Sequence, residues 1–185
     1  MNRDRGVIDG GPPMSRAEDK CDEVEVSRLL AGAAKAVASA RYCWLATTAE
    51  NGGARARPMG RPNENDWTIR FLTFLTDGRS RKASDIRRAG KVTVIFQHDA
   101  DDAYVTLIGA ATLRESASEV RRRWKAAFNV YFPSEQDRAN AAFVEIETER
   151  MELWIRGVTP EPFGLDTTTL ERDASGNWRL IPGAQ

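Results

Sequence analysis

The chain has 185 residues, and its 27 Lys and Arg residues balance 27 Asp and Glu residues, so the formal net charge is zero. This length predicts one domain with its own core, and the neutral balance disfavours a general nucleic-acid binder. A single histidine excludes a multi-histidine metal site, the two cysteines make no disulfide framework, and no apolar run approaches the roughly 18 residues of a membrane span.

The first residues, 1–22, predict a disordered leader, because Gly10-Gly11-Pro12-Pro13 and alternating charges bury little surface. The leader has no apolar core like that of a signal peptide, so we expect a cytoplasmic protein. Residues 23–185 predict a single domain, which begins with an amphipathic helix over about Val24–Ser39 because its apolar and alanine residues recur at helical spacing.

Six strands are predicted from runs of β-branched and aromatic residues bounded by turn residues. They span Tyr42–Thr48, Ala54–Met59, Trp67–Thr76, Lys91–Gln97, Ala103–Leu113 and Ala141–Trp154. Short helices are predicted over Ser80–Arg88 and Ser116–Phe128, and one further short strand around Asn177–Ile181. Strands joined mainly by hairpins, with few helices, predict a mainly β (α+β) fold, an antiparallel barrel with helices on its outside.

Cations and a hydroxyl cluster where the third predicted strand leads into a short helix, at Arg79, Ser80, Arg81 and Lys82. An arginine fork, a lysine charge, a hydroxyl and the N–H groups of a first helical turn together suit a dianionic phosphate. A solvated helix start explains the same residues, because basic runs on surface helices are common. The spacing alone leaves both interpretations open.

A second basic stretch, Arg55-Ala56-Arg57, lies in the second predicted strand, where alternate residues point to one face. We expect this strand to pair with the third, which would bring both arginines to the same phosphate, with Thr76 adding a hydroxyl. The alternative is a pair of exposed strand arginines.

Several of these elements, taken in order, resemble the FMN-binding split-barrel superfamily of pyridoxamine 5'-phosphate oxidase. They are R-P-M at 57–59, F-L-T-F-L-T at 71–76, S-R-K-A-x-x-I at 80–86 and V-x-V-x-F at 92–96. The later sequence WKAAFNVYFPSEQD, followed by a strand that ends in M-E-L-W, resembles the general-stress-protein branch of that superfamily. The resemblance spans about Val24 to Trp154.

The resemblance implies a homodimer of six-stranded antiparallel split β-barrels with flanking helices, with FMN bound at the interface. It also assigns residues to the cofactor. These are Arg57, Pro58 and Met59 along the flavin, Leu75 and Thr76 at the isoalloxazine ring, Arg81 and Lys82 at the phosphate with Ser80 beside them, Tyr104 facing the flavin, and Trp154 contributed from the partner chain.

The sequence departs from the oxidase in two places. The oxidase follows the counterpart of Trp154 with an Arg-x-His-Asp-Arg pattern, whereas this chain continues IRGVTPEPFGLD. The oxidase also ends its flavin strand in a lysine, where Gly60-Arg61-Pro62 stands here. We therefore do not expect vitamin B6 oxidation, and the substrate stays open.

The leading hypothesis is an FMN-dependent oxidoreductase in which the flavin performs the redox step, with NAD(P)H or a small redox molecule as its partner. No catalytic side chain is then required, and none is predicted. Two alternatives stay open: a non-catalytic flavin-binding stress or sensing module, and a split barrel that uses the deazaflavin F420. Of the remaining residues, His98 is interpreted as a turn residue, Cys43 as buried, and Trp124, Phe128 and Phe132 as structural.

Overall fold

The computed structural model describes residues 16–62 and 67–183, and in these ranges eight strands form one antiparallel sheet flanked by helices. The strands are β1 (Tyr42–Thr48), β2 (Ala54–Gly60), β3 (Phe71–Asp77), β4 (Lys91–His98), β5 (Ala103–Arg114), β6 (Ala141–Ile155), β7 (Thr168–Arg172) and β8 (Trp178–Ile181). The helices are α1 (Arg16–Ser39), α2 (Arg81–Ala89), α3 (Ala117–Arg123) and α4 (Glu135–Arg138), with 3-10 turns over Asp99–Asp101 and Ala126–Val130.

The predicted mainly β fold with flanking helices is confirmed, but the strand count was wrong. The sheet is open, and within the described residues it has eight strands rather than six. The short strand β8 falls where a further strand was expected, whereas β7 was missed. Since β7 is only five residues long and lacks a regular apolar alternation, its strand form depends on pairing with β6 and β8, which local sequence does not reveal.

The sheet order is β2-β1-β4-β5-β6-β7-β8, and β3 joins it by pairing with β6. The first half of β6 pairs with β3 and its second half pairs with β7, so β3 and β7 lie end to end along one edge of β6. The expected pairing of β2 with β3 was therefore wrong. A physical reason is that β3 buries Leu72 and Phe74 beside the apolar first half of β6, whereas no residue of β2 is fully buried.

The core lies inside the curved sheet and beneath α1, because alternate residues of the strands point inward. Among the fully buried side chains are Leu45, Leu72, Phe96, Leu107 and Leu153 from the strands, and Leu29 and Val37 from α1. Cys43 is buried as predicted, and burial raises the pKa of its thiol to about 12.

Strand β5 pairs with β6 along its whole length, and the register of this pairing shifts at a bulge between Ile108 and Gly109. A Cβ atom at Gly109 would lie 2.1 Å from the backbone oxygen of Glu147, which is far inside van der Waals contact. The glycine therefore allows two backbones to approach where the longest strands bend around the core.

Two helix boundaries differ from the predictions. Helix α1 begins at Arg16, so residues 16–22 of the predicted leader are helical, while the rest of the leader lies outside the described residues. The helix predicted over Ser116–Phe128 ends at Arg123, because Trp124 adopts an extended backbone that turns its indole toward Phe128 and Phe132. No helix among the described residues has the length and apolarity to cross a membrane, and the cytoplasmic location stays a prediction.

Candidate functional site

A cleft of about 920 Å³ opens between β2 and β3, where the sheet is not continuous. One wall comes from the end of β2 and the residues after it, a second from β3, and a third from the segment that follows α3. The lining of the cleft includes Pro58, Met59, Trp67, Leu75, Thr76, Lys82, Trp124, Phe128, Tyr131, Phe132 and Phe143.

The edge of β3 that faces away from β6 pairs with no strand among the described residues, apart from one bridge between Leu72 and Trp67. The edge of β2 that faces away from β1 is likewise unpaired in the described part of the sheet. Backbone N–H and C=O groups at a strand edge are strong hydrogen-bonding groups that need partners. The cleft therefore offers a polar backbone margin along Thr73–Asp77 as well as side chains.

Thr76 gives the clearest local sign that the cleft takes a polar ligand. Its side chain lines the cleft, the residue is only 4% exposed, and its hydroxyl has no hydrogen-bond partner among the described residues. Buried hydroxyl groups are nearly always hydrogen-bonded. Trp67, which also lines the cleft, has a buried indole Nε1 that likewise finds no partner in the described chain.

An aromatic cluster forms the wall opposite β2. The Trp124 ring meets Phe128 and Phe132 edge to face at centroid distances of 5.8 and 6.0 Å, and Phe128 meets Phe143 at 5.8 Å. Leu75 of β3 packs on the same cluster. The predicted structural role of these aromatic residues is confirmed by this packing, but the sequence did not indicate that they also line the cleft.

The cations predicted from the sequence converge at one end of the cleft. Lys82 lines the cleft, and its pKa is lowered first by burial and then by the nearby charge of Arg57. The pKa of Arg57 is lowered mainly by burial, with Arg55 and Arg81 adding repulsion and Asp85 opposing it. Cations that repel one another across a half-buried space form a site in which a bound anion would relieve the repulsion.

Ser80 begins α2 as its N-cap, and its Oγ accepts a hydrogen bond of 3.4 Å from the Ala83 N–H. Arg79, in contrast, turns back to Asp77, to which it donates at 2.7 Å, and it is two-thirds exposed. Of the cations around this helix start, Lys82 reaches the cleft directly, and Arg81 lies close enough to Arg57 to affect its pKa.

The assigned residues fall into two groups. Most lie in the cleft or at its cationic end: Arg57, Pro58, Met59, Leu75, Thr76, Ser80, Arg81 and Lys82. Tyr104 and Trp154 do not line it; they pair with each other across β5 and β6. Along β6, Trp154 is about 36 Å from the cleft residue Phe143, at roughly 3.3 Å per residue. Their assignment to a flavin therefore stays a prediction.

Sequence reasoning missed Asp85, a buried carboxylate beneath the cationic end that contacts Thr47 and Arg55. One signal was available, since Asp85 precedes the apolar Ile86 on the inward face of an otherwise basic helix. An acidic residue on a buried helix face needs cationic or hydroxyl partners, and both were present in β1 and β2.

The open antiparallel sheet, its flanking helices and the cleft at the β2–β3 gap together define a split-barrel protein. The chain belongs to the pyridoxamine 5'-phosphate oxidase-like family, whose sequence model matches residues 31–160. A search of curated proteins found no match.

Several solved structures share the fold at low sequence identity. A Clostridium acetobutylicum protein related to general stress protein 26 of B. subtilis superposes with a TM-score of 0.63 and 17% identity, over 78% of this chain and 94% of that chain. A pyridoxamine 5'-phosphate oxidase-related, FMN-binding protein from Nostoc punctiforme gives 0.59 and 16%, over 92% and 100%. General stress protein 26 of Bacillus anthracis gives 0.54 and 20%, over 68% and 93%. At these identities the similarity shows the fold alone.

Proposed function

We propose that the chain is an FMN-binding flavoprotein that acts as an FMN-dependent oxidoreductase. The observation that carries the proposal is the composition of the cleft, in which an aromatic wall and a strand edge that is unpaired among the described residues lead to a group of cations at one end. FMN has the matching chemistry, because its flat ring is mostly apolar with a polar edge and its side chain ends in a phosphate. The family membership and the FMN-binding Nostoc relative support the same cofactor.

The residues present fit that group at both of its ends. Arg57, Arg81 and Lys82 would hold the phosphate by charge-assisted hydrogen bonds, and Lys82 already lies in the cleft. The Thr76 hydroxyl, buried and without a partner in the described chain, would meet a polar atom of the ring. The aromatic wall of Trp124 and Phe128 would exclude water from the ring face.

Bound FMN would supply the electron-transfer chemistry, and the chain would bind and orient it. Isolating the protein, releasing its chromophore and identifying it tests the cofactor directly. Bleaching of a yellow preparation by NADH or NADPH, with recovery in air, supports the oxidoreductase. A bound flavin that no nicotinamide donor reduces favours the non-catalytic module, and preferential binding of F420 over FMN contradicts the proposed cofactor.

Thr76→Val tests the placement of the ring. Valine keeps the shape of threonine but removes the hydroxyl, so the variant loses one neutral hydrogen bond to the ligand, roughly 0.5–1.5 kcal/mol. We expect the dissociation constants of FMN and riboflavin to rise together, by about two- to tenfold, in a fluorescence titration. Thr76→Ser, which keeps the hydroxyl, is the matched control. Unchanged binding of both flavins by the valine variant would contradict the placement.

We also propose a homodimer that covers the outer face of the sheet. Tyr42 and Trp44 of β1 point outward and are 56% and 47% exposed. Tyr104 and Trp154 lie on the same outer face, since their strands bury the intervening residues. This face is continuous with the cleft, because Trp44 pairs in register with the cleft residue Pro58. A second copy packed here would bury this aromatic surface and bring residues of its own toward the cleft.

Trp154→Phe tests the contribution of the second copy. An indole beside a flavin ring quenches its emission, so we expect the variant to remain dimeric, to bind FMN modestly more weakly and to show brighter flavin fluorescence. Light scattering gives the mass and emission spectra give the quenching. A flavin-loaded chain that is monomeric at micromolar concentration contradicts the dimer, and unchanged emission with lower thermal stability shows a purely structural tryptophan.

A further inference from the structure

Asp85 is a buried carboxylate at the meeting point of α2, β1 and β2. The residue is 4% exposed, and its Oδ2 accepts a hydrogen bond of 2.8 Å from the Thr47 hydroxyl. Its Oδ1 lies 3.2 Å from Nη1 of Arg55 and 3.8 Å from Nη2 of Arg88. A buried charge of this kind is retained only where several partners compensate its lost hydration.

Thr47 connects this carboxylate to Arg57. The guanidinium Nη1 of Arg57 donates to the Thr47 Oγ at 2.8 Å and to the backbone oxygen of Leu45 at 3.3 Å. The single hydroxyl proton of Thr47 is then directed to Asp85, which Arg57 itself approaches only to 3.9 Å. Thr47 is 3% exposed, so water does not compete for these bonds.

Asp85, Thr47 and Arg57 thus form a hydrogen-bonded relay, and the charges around it explain why it is needed. Arg57 lies close to Arg55, Arg81 and Lys82, which repel it in the absence of a bound anion. Asp85 is the acidic group that opposes this repulsion: although burial raises the pKa of its carboxyl, the Thr47 hydrogen bond and Arg55 outweigh burial and hold that pKa below its ordinary value. The carboxylate is therefore ionised at neutral pH and attracts Arg57.

We infer that Thr47 and Asp85 are positioning residues, which hold the Arg57 guanidinium in place to receive a phosphate monoester group. The inference rests on the proposed function for the identity of the ligand but adds residues to which no role has been assigned. The relay fixes Arg57 before binding, so a ligand phosphate meets an ordered cation rather than one that it must first draw out of solvent. Ligands that share the ring but lack the phosphate gain nothing from the relay.

The test compares Thr47→Val with Thr47→Ser in the full-length protein, using FMN and riboflavin as paired probes. Valine removes the hydroxyl from both of its hydrogen bonds, whereas serine keeps it. We expect the valine variant to bind FMN roughly tenfold more weakly, as for the loss of one hydrogen bond to a charged group. Riboflavin affinity should not change, and Thr47→Ser should restore the wild-type FMN affinity.

Asp85→Asn serves as the second variant, because it keeps the shape of the side chain and removes its charge. Like Thr47→Val, it should weaken FMN binding more than riboflavin binding, even if its melting temperature also falls. Equal FMN affinity in wild type and Thr47→Val overturns the inference, as does a loss that is the same for both flavins, since that loss would be structural.

Inorganic phosphate separates this inference from the proposed function. A wild-type chain that binds neither flavin overturns the proposed function alone, and the relay is then judged by how much phosphate raises the melting temperature. A rise that is present in wild type and in Thr47→Ser but smaller in Thr47→Val supports the relay. A rise of equal size in all three, or no rise in any of them, overturns it.

Discussion

Replacing Arg81 and Lys82 together by alanine is expected to weaken FMN binding by about 10²- to 10⁴-fold while leaving the fold intact. Each residue would contribute a charge-assisted hydrogen bond to the phosphate, and such bonds contribute roughly 1.5–3 kcal/mol each. Both side chains come from the first turn of α2, outside the main core. Titration of the apoprotein followed by flavin fluorescence measures the change, and Lys82→Ala alone should show a smaller loss.

Riboflavin and Arg79 provide the controls for this prediction. Riboflavin lacks the phosphate, so its affinity should be nearly the same in wild type and in the double variant. Arg79→Ala removes a neighbouring cation that is paired with Asp77 and does not itself line the cleft, so it should leave FMN affinity within about twofold. Tight FMN binding by the double variant would show that the phosphate lies elsewhere.

Gly109→Ala is expected to destabilise the fold by about 3 kcal/mol, at the upper end of the usual range for overpacking. The added Cβ would lie 2.1 Å from the oxygen and 2.8 Å from the carbon of the Glu147 carbonyl. These are backbone atoms of the neighbouring strand, so β5 and β6 must separate at the bulge to admit the methyl group. Urea denaturation monitored by tryptophan fluorescence measures the lost free energy of unfolding.

Gly60→Ala is the matched control, because Gly60 is also a strand glycine and has no positive φ. A Cβ added at Gly60 would meet no atom of the described chain within 4 Å, apart from its own chain neighbours. The free energy of unfolding of this variant should lie within about 0.5 kcal/mol of the wild-type value. A Gly109→Ala variant as stable as the Gly60→Ala variant would mean that the bulge adjusts freely.

The local elements of the fold were predictable, because their signals are local. Strand β1 was predicted over its full length, because it is rich in aromatic and β-branched residues. The pairing of β3 was not predictable in the same way. Its partner β6 follows more than sixty residues later, and nothing local to Phe71–Asp77 distinguishes β6 from the nearer β2 as a partner.

In the candidate site, too, the residues with local signals were predicted and those that depend on tertiary contacts were not. Thr76 and Lys82 were identified because strand and helix order places them at one turn, and the structure brings both into the cleft. The aromatic wall was interpreted only as packing, since the extended backbone at Trp124 that folds the segment back is set by tertiary contacts. Asp85 was missed because its importance depends on Thr47, which becomes its neighbour only after folding.

The gap between β2 and β3 has a consequence for the lifetime of the protein. Two unpaired strand edges, as the described part of the sheet has them, lie beside apolar side chains and can recruit a strand from another chain, which is how open sheets begin to aggregate. If the proposed cofactor occupies the gap, it would cover the edge of β3 and the apolar side chains beside it. Chains synthesised faster than flavin is supplied would then keep these strand edges exposed and prone to aggregation, so the abundance of this protein would follow the supply of its cofactor.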